Sequence, residues 1–82
     1  MESTELIQKI QKGDRKAFGA FYDRHSALVY SIALRILKKP EDANDVVQEI
    51  FVTVWQKASH FSARKGTPEA WLITLTRSRA ID

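Results

Sequence analysis

The sequence contains no cysteine, which excludes disulfides, cysteine-ligated zinc and a thiol nucleophile, and fits a reducing compartment. Glycine occurs three times and proline twice, so few sharp turns are encoded and no glycine-rich phosphate loop is present. No apolar run approaches the roughly 18 residues of a membrane span, because Arg35, Lys38 and Lys39 interrupt or end the longest one. The opening MESTELIQKI places acids before any apolar stretch, unlike a signal peptide, and the expectation is a soluble, cytoplasmic protein with no membrane insertion. A large excess of one charge is also missing: thirteen Lys and Arg face ten Asp and Glu, net +3. That balance alone does not announce nucleic acid.

What is present is ordinary globular composition, 44% hydrophobic and 28% charged over 82 residues. This is enough for one small domain with a single core. The charge is unevenly placed. Residues 1–56 carry eight basic and eight acidic groups, whereas Lys57, Arg64, Lys65, Arg77 and Arg79 face only Glu69 and Asp82 beyond them. The whole positive excess lies in the C-terminal third.

Hydrophobic spacing of threes and fours points to helices throughout. Leu6, Ile7 and Ile10 form a short stripe that Ser3 or Thr4 can cap, and Gly13 ends it. Asp14 can cap a helix of roughly 23 residues that carries Phe18, Phe21, Tyr22, Leu28, Val29, Ile32, Ala33, Ile36 and Leu37, with His25 in the same register, and is closed by Lys38, Lys39 and Pro40. A third helix is expected from about Glu41 to Lys57, although the β-branched residues at 50–55 make a strand the competing assignment there. SHFSARKG (59–66) has no period and reads as a basic loop around Phe61. Thr67 and Pro68 then start a fourth helix that turns Trp71, Leu72, Leu75 and Ile81 inward. The fold expected is all-α, a compact bundle of roughly three to four helices with Trp55 and Trp71 as a buried core pair. The pattern still runs at Asp82, so residues 1–82 read as a single domain of a longer chain.

Catalysis has little to stand on. His25 and His60 are the only histidines, neither has a second ligand at metal-binding spacing, and no enzyme, metal or cofactor is expected. Binding is better represented. Glu41, Asp42, Asp45 and Glu49 are four acids in nine residues with no base among them. Helix-dipole compensation accounts for the first two but fades within about one turn. Asp45, Gln48 and Glu49 therefore form a patch suited to a partner's arginines, with plain surface solubility as the alternative. At the other end, His60, Phe61, Ser62, Arg64 and Lys65 lie in the loop, and Arg77, Ser78 and Arg79 on the last helix. Cations for phosphates, hydroxyls for base edges and rings for an unstacked base make this a candidate nucleic-acid surface. Core packing of Trp71 and simple loop anchoring by Phe61 are the competing readings.

EDANDVVQEIFVTVW, the short basic loop and TPEAWLITLTRSRAID, preceded by AFGAFYDRHSALVYSIALRIL, together resemble region two of bacterial sigma factors of the extracytoplasmic-function (ECF) type. The resemblance covers nearly the whole chain in order and spacing. It implies a transcription-initiation factor domain that docks through Asp45, Gln48 and Glu49 on the clamp helices of the largest subunit of core RNA polymerase. It also implies recognition and melting of the −10 promoter element, with the loop His60 to Thr67 holding a flipped non-template base and Arg77, Ser78 and Arg79 facing DNA. An anti-sigma factor is an implied partner, and a free monomer is expected. The sequence departs from the family at Ser78, in TRS, where many relatives carry Asn in an ARN-type run. The C-terminal helix-turn-helix domain that reads the −35 element in relatives is absent from these residues, so weak promoter binding by the domain alone is expected. A generic helical DNA-binding domain and a protein-interaction bundle are the alternative functions.

Overall fold

A computed structural model describes all residues, 1–82. Its helices are α1 (Ser3–Gln11), α2 (Arg15–Leu37), α3 (Pro40–Lys57) and α4 (Pro68–Ile81), with a short 3₁₀ turn at Ala58–His60. The all-α expectation holds, and the β-branched segment at 50–55 is helical. Propensity there yields to tertiary burial: Ile50, Phe51 and Val54 fall on the face that α2 covers.

Local chemistry sets each boundary. The Asp14 side chain accepts the Ala17 N–H at 3.0 Å and opens α2. The Thr67 hydroxyl accepts from Ala70 N at 3.1 Å and opens α4. Gly13, at φ 85°, makes the left-handed step between α1 and α2. Two expected boundaries move. Pro40 does not close α2; it is the first residue of α3, where a missing N–H is harmless. Proline also forces its predecessor to be extended, so Lys39 is β-like and Lys38 makes the corner at φ 66°. The cap of α1 is Glu2, not Ser3 or Thr4, because Ser3 is turned into the core.

At about 1.5 Å per residue, 23-residue α2 spans about 35 Å. This matches the 34 Å long dimension of the molecule. It is the backbone of the bundle, packing on α3, α4 and α1. One contiguous core runs from Leu6, Ile7 and Ile10 through Phe21, Val29 and Ala33 to Val46, Ile50, Val54 and Leu72. Phe61 belongs to it as well, at 8% exposure.

The expected tryptophan pair does not form. Trp55 is 38% exposed and meets Phe18 of α2 edge-on at 5.4 Å, whereas Trp71 is half-buried against Phe61 at 5.6 Å. The cause is helical phase. Ile50 and Val54 set the buried line of α3, and Trp55, one residue on, points toward its rim. Ile81 is likewise 72% exposed, since the buried line of α4 passes through Leu72, Thr76 and Ala80.

Candidate nucleic-acid and partner interfaces

The loop after α3 is fixed at both ends. Gln11, on the last turn of α1, donates from its side-chain amide to the Ala58 carbonyl at 2.9 Å. Lys65 N–H donates to the Ser62 carbonyl at 3.0 Å, closing a turn. Phe61 is folded under the loop, and Thr67 hands the chain to α4. Between loop and helix lies an open cavity of about 230 Å³. Phe61 and Trp71 floor it, tilted 50° to each other. Ser62, Thr67 and Thr74 supply hydroxyls, and His60 and Lys65 stand among its lining residues. Gly66 and Ala70, which bring almost no side chain, keep it open.

This arrangement brings together His60, Phe61, Ser62 and Lys65 from the expected set and leaves Arg64 exposed outside the lining. Sequence reasoning gave no structural place to Ala70 or Gln11. Thr67, Ala70, Trp71 and Thr74 lie three and four apart, so the helix-face pattern that marks a core stripe here marks a cavity wall. Phe61 is buried, as the loop-anchor alternative has it, and it also lines the cavity.

On α3, Asp45 and Gln48 are exposed, as is Val52 at 54%. They share a solvent-facing stripe that continues to Trp55. Glu49 sits at its side and is not free. Its carboxylate accepts from both Nε and Nη2 of Arg79, the latter at 3.0 Å, in a side-on ion pair between residues half-exposed at 44% and 50%. The pair brings together Glu49 of the expected partner patch and Arg79 of the expected DNA surface. The hydrogen bond that Arg79 donates to Glu49 raises the Arg79 pKa above its ordinary value. Arg77 and Ser78 are exposed beside it.

A second polar cluster ties the N-terminal ends together. His25 is 4% exposed, its Nε2 lies 2.8 Å from Ser3 Oγ, and Glu69 of the first turn of α4 lies 3.8 Å away. Burial lowers the His25 pKa, outweighing the raising effect of Glu69; Arg24 lowers it further. Its folded-state pKa is therefore below the unfolded value, and the unfolded chain binds more protons in the interval between them. Stability should be fully present above about pH 6.5 and fall as pH drops below it. Urea titrations at stepped pH check this, and His25→Phe, which cannot titrate, should flatten the dependence in that window. A wild-type curve that rises toward acid would contradict it.

These are the features of a small helical binding module, and its sequence places it in a family. The Sigma-70 region 2 family model matches residues 21–82, and the chain belongs to that family. It is similar to the ECF RNA polymerase sigma factor SigK of Mycobacterium ulcerans (strain Agy99), 40% identical over 77 residues. It is also similar to the SigK proteins of Mycobacterium bovis (strain BCG / Pasteur 1173P2) and Mycobacterium sp. (strain KMS), each 36% identical over 77 residues. Each match covers 94% of this chain but only 40–41% of the relative, so the chain spans about two fifths of their length. No helix is long and apolar enough to cross a membrane.

Proposed function

We propose that residues 1–82 act in transcription initiation, docking on core RNA polymerase through the exposed stripe of α3 and capturing an extruded base of the −10 non-template strand in the cavity beside α4. The observation that carries the reading is the cavity itself: an aromatic floor, hydroxyl walls and a lysine at its lining, held open by Gly66 and Ala70. Such a site suits a planar base removed from its stack. Extruding a base costs a few kcal/mol, and a fitted pocket offsets that cost only once the strand is open. The domain thus favours melted DNA by binding, with no bond made or broken.

The strand's phosphates meet Lys65 and Arg64 near the cavity and Arg77 further along α4; these contacts hold the strand without reading it. Ser78 offers a single hydroxyl and cannot make the bidentate contact with adenine that an asparagine makes. Base choice therefore rests on the cavity more than on this position.

The partner surface has two chemistries. Asp45 and Gln48 are acidic and polar, while Val52 and Trp55 extend the stripe with apolar area. A partner helix with basic residues opposite the first pair and apolar residues opposite the second fits it, as the clamp helices of the polymerase's largest subunit would. Asp45→Arg should weaken binding of an isolated clamp-helix fragment at least tenfold, because like charges are then forced together. Trp55→Ala should weaken it by a comparable factor, since a tryptophan at an interface commonly carries a large share of the energy. Calorimetric titration reads both, and unchanged affinity in both variants would remove the docking face from α3.

A further inference from the structure

The Glu49–Arg79 pair joins α3 to the end of α4 across 30 residues of sequence. Its surroundings are lopsided. Asp42, Asp45, Glu49 and Asp82 line the same depression, and Arg79 is the one cation among them. Arg77, two residues earlier, is exposed and has no acidic partner. The two arginines of the last helix therefore differ in availability: Arg77 is free to meet a phosphate, and Arg79 is held by an acid that borders the proposed docking stripe.

We infer that the Glu49–Arg79 ion pair is an exchangeable clasp: a basic group of the docking partner takes Glu49, and the released Arg79 becomes available to a DNA phosphate. The inference rests on the docking and strand-binding reading above and adds a means of coupling the two. Exchange is cheap, because both side chains are half-exposed and Glu49 trades one cation for another. Linkage makes the effect reciprocal, so strand binding that captures Arg79 also frees Glu49 for the partner. An exposed pair of this kind can shift a linked equilibrium by about two- to fivefold, and less at high salt. The clasp is thus a modest bias toward doing both together, not a lock.

The test is a double-mutant cycle on the 82-residue chain, read as affinity for a fluorescent single-stranded −10 oligonucleotide with and without a clamp-helix fragment. Without the fragment, Glu49→Gln should raise strand affinity about two- to fivefold. Glu41→Gln, which removes an equal charge from the exposed first turn of α3, should raise it less. In an Arg79→Gln background the Glu49 substitution should do no more than the Glu41 one. Arg79→Gln should also tighten fragment binding, by freeing the acid cluster. An unchanged or lowered strand affinity in Glu49→Gln, or an equal gain in the Arg79→Gln background, would overturn the clasp whatever the fragment does. Failure of the wild-type chain to bind the fragment would instead overturn the docking reading and, with it, partner-driven release.

Discussion

Phe21→Ala should cost about 3–5 kcal/mol and move the unfolding midpoint far below the wild-type one. Phe21 is fully buried on the longest helix. Its ring lies 4.5 Å from that of His25 and 6.2 Å from that of Phe51. Truncation removes a ring that bridges His25 and Phe51 and leaves a cavity in the shared core of α2 and α3. A domain of this size holds on the order of 4–12 kcal/mol in total, so the loss is a large part of it. Val52→Ala, at a 54% exposed position, should change stability by less than about 0.5 kcal/mol. Urea denaturation followed by far-UV circular dichroism measures both; a cooperative transition in Phe21→Ala near the wild-type midpoint would contradict this account of the core.

The second large effect belongs to the cavity. Stacking of a base on an aromatic side chain is worth about 1–3 kcal/mol, so Trp71→Ala should lower single-strand affinity by roughly five- to 150-fold. Trp71 also packs on Phe61, and loss of affinity in that variant alone could reflect a loosened loop. Ala70→Leu separates the two causes. Ala70 is exposed on a helix and lines the cavity, so leucine there keeps helix propensity, removes no core side chain and fills the space where a base would sit. It should reduce strand affinity by roughly tenfold or more while leaving stability and clamp-helix binding close to wild type. Undiminished strand affinity in Ala70→Leu would place the base elsewhere.

The competing functions make different demands on α4. A duplex reader needs a recognition helix with one side free for the groove, yet Leu72, Thr76 and Ala80 are buried along α4 and Thr76 spends its hydroxyl on the Leu72 carbonyl at 2.6 Å. The exposed side of the same helix is short, and its start is given to the cavity wall. A purely protein-binding bundle leaves the aromatic-floored cavity without a purpose.

Much of the fold was legible because it is local. The Asp14 and Thr67 caps, the glycine at position 13 and the three–four spacing of α2 each act within a few residues, so sequence alone places them. Pro40 was misread by one element because a proline after a helix and a proline opening the next helix look alike in sequence; the left-handed Lys38 decides between them only in three dimensions. Trp55 was misplaced by a single helical step of about 100°, small enough that pattern reading does not resolve rim from core. The site was partly legible. The loop residues were identifiable from composition, and the acidic stripe from its charge. The contacts that organise them were not: Gln11 reaches the Ala58 carbonyl across 47 residues, and the pair between Glu49 and Arg79 spans 30. No periodicity encodes a partner at that distance.

The central claim is that the chain, once docked, prefers an opened −10 strand to closed DNA. The most direct measurement is the affinity of the wild-type chain for a panel of short non-template-strand oligonucleotides and the matching duplexes, with a clamp-helix fragment present. The account predicts that one family of single strands binds tighter than its scrambled versions and tighter than its own duplex. Equal or tighter binding to the duplex, with no dependence on strand sequence, would contradict it.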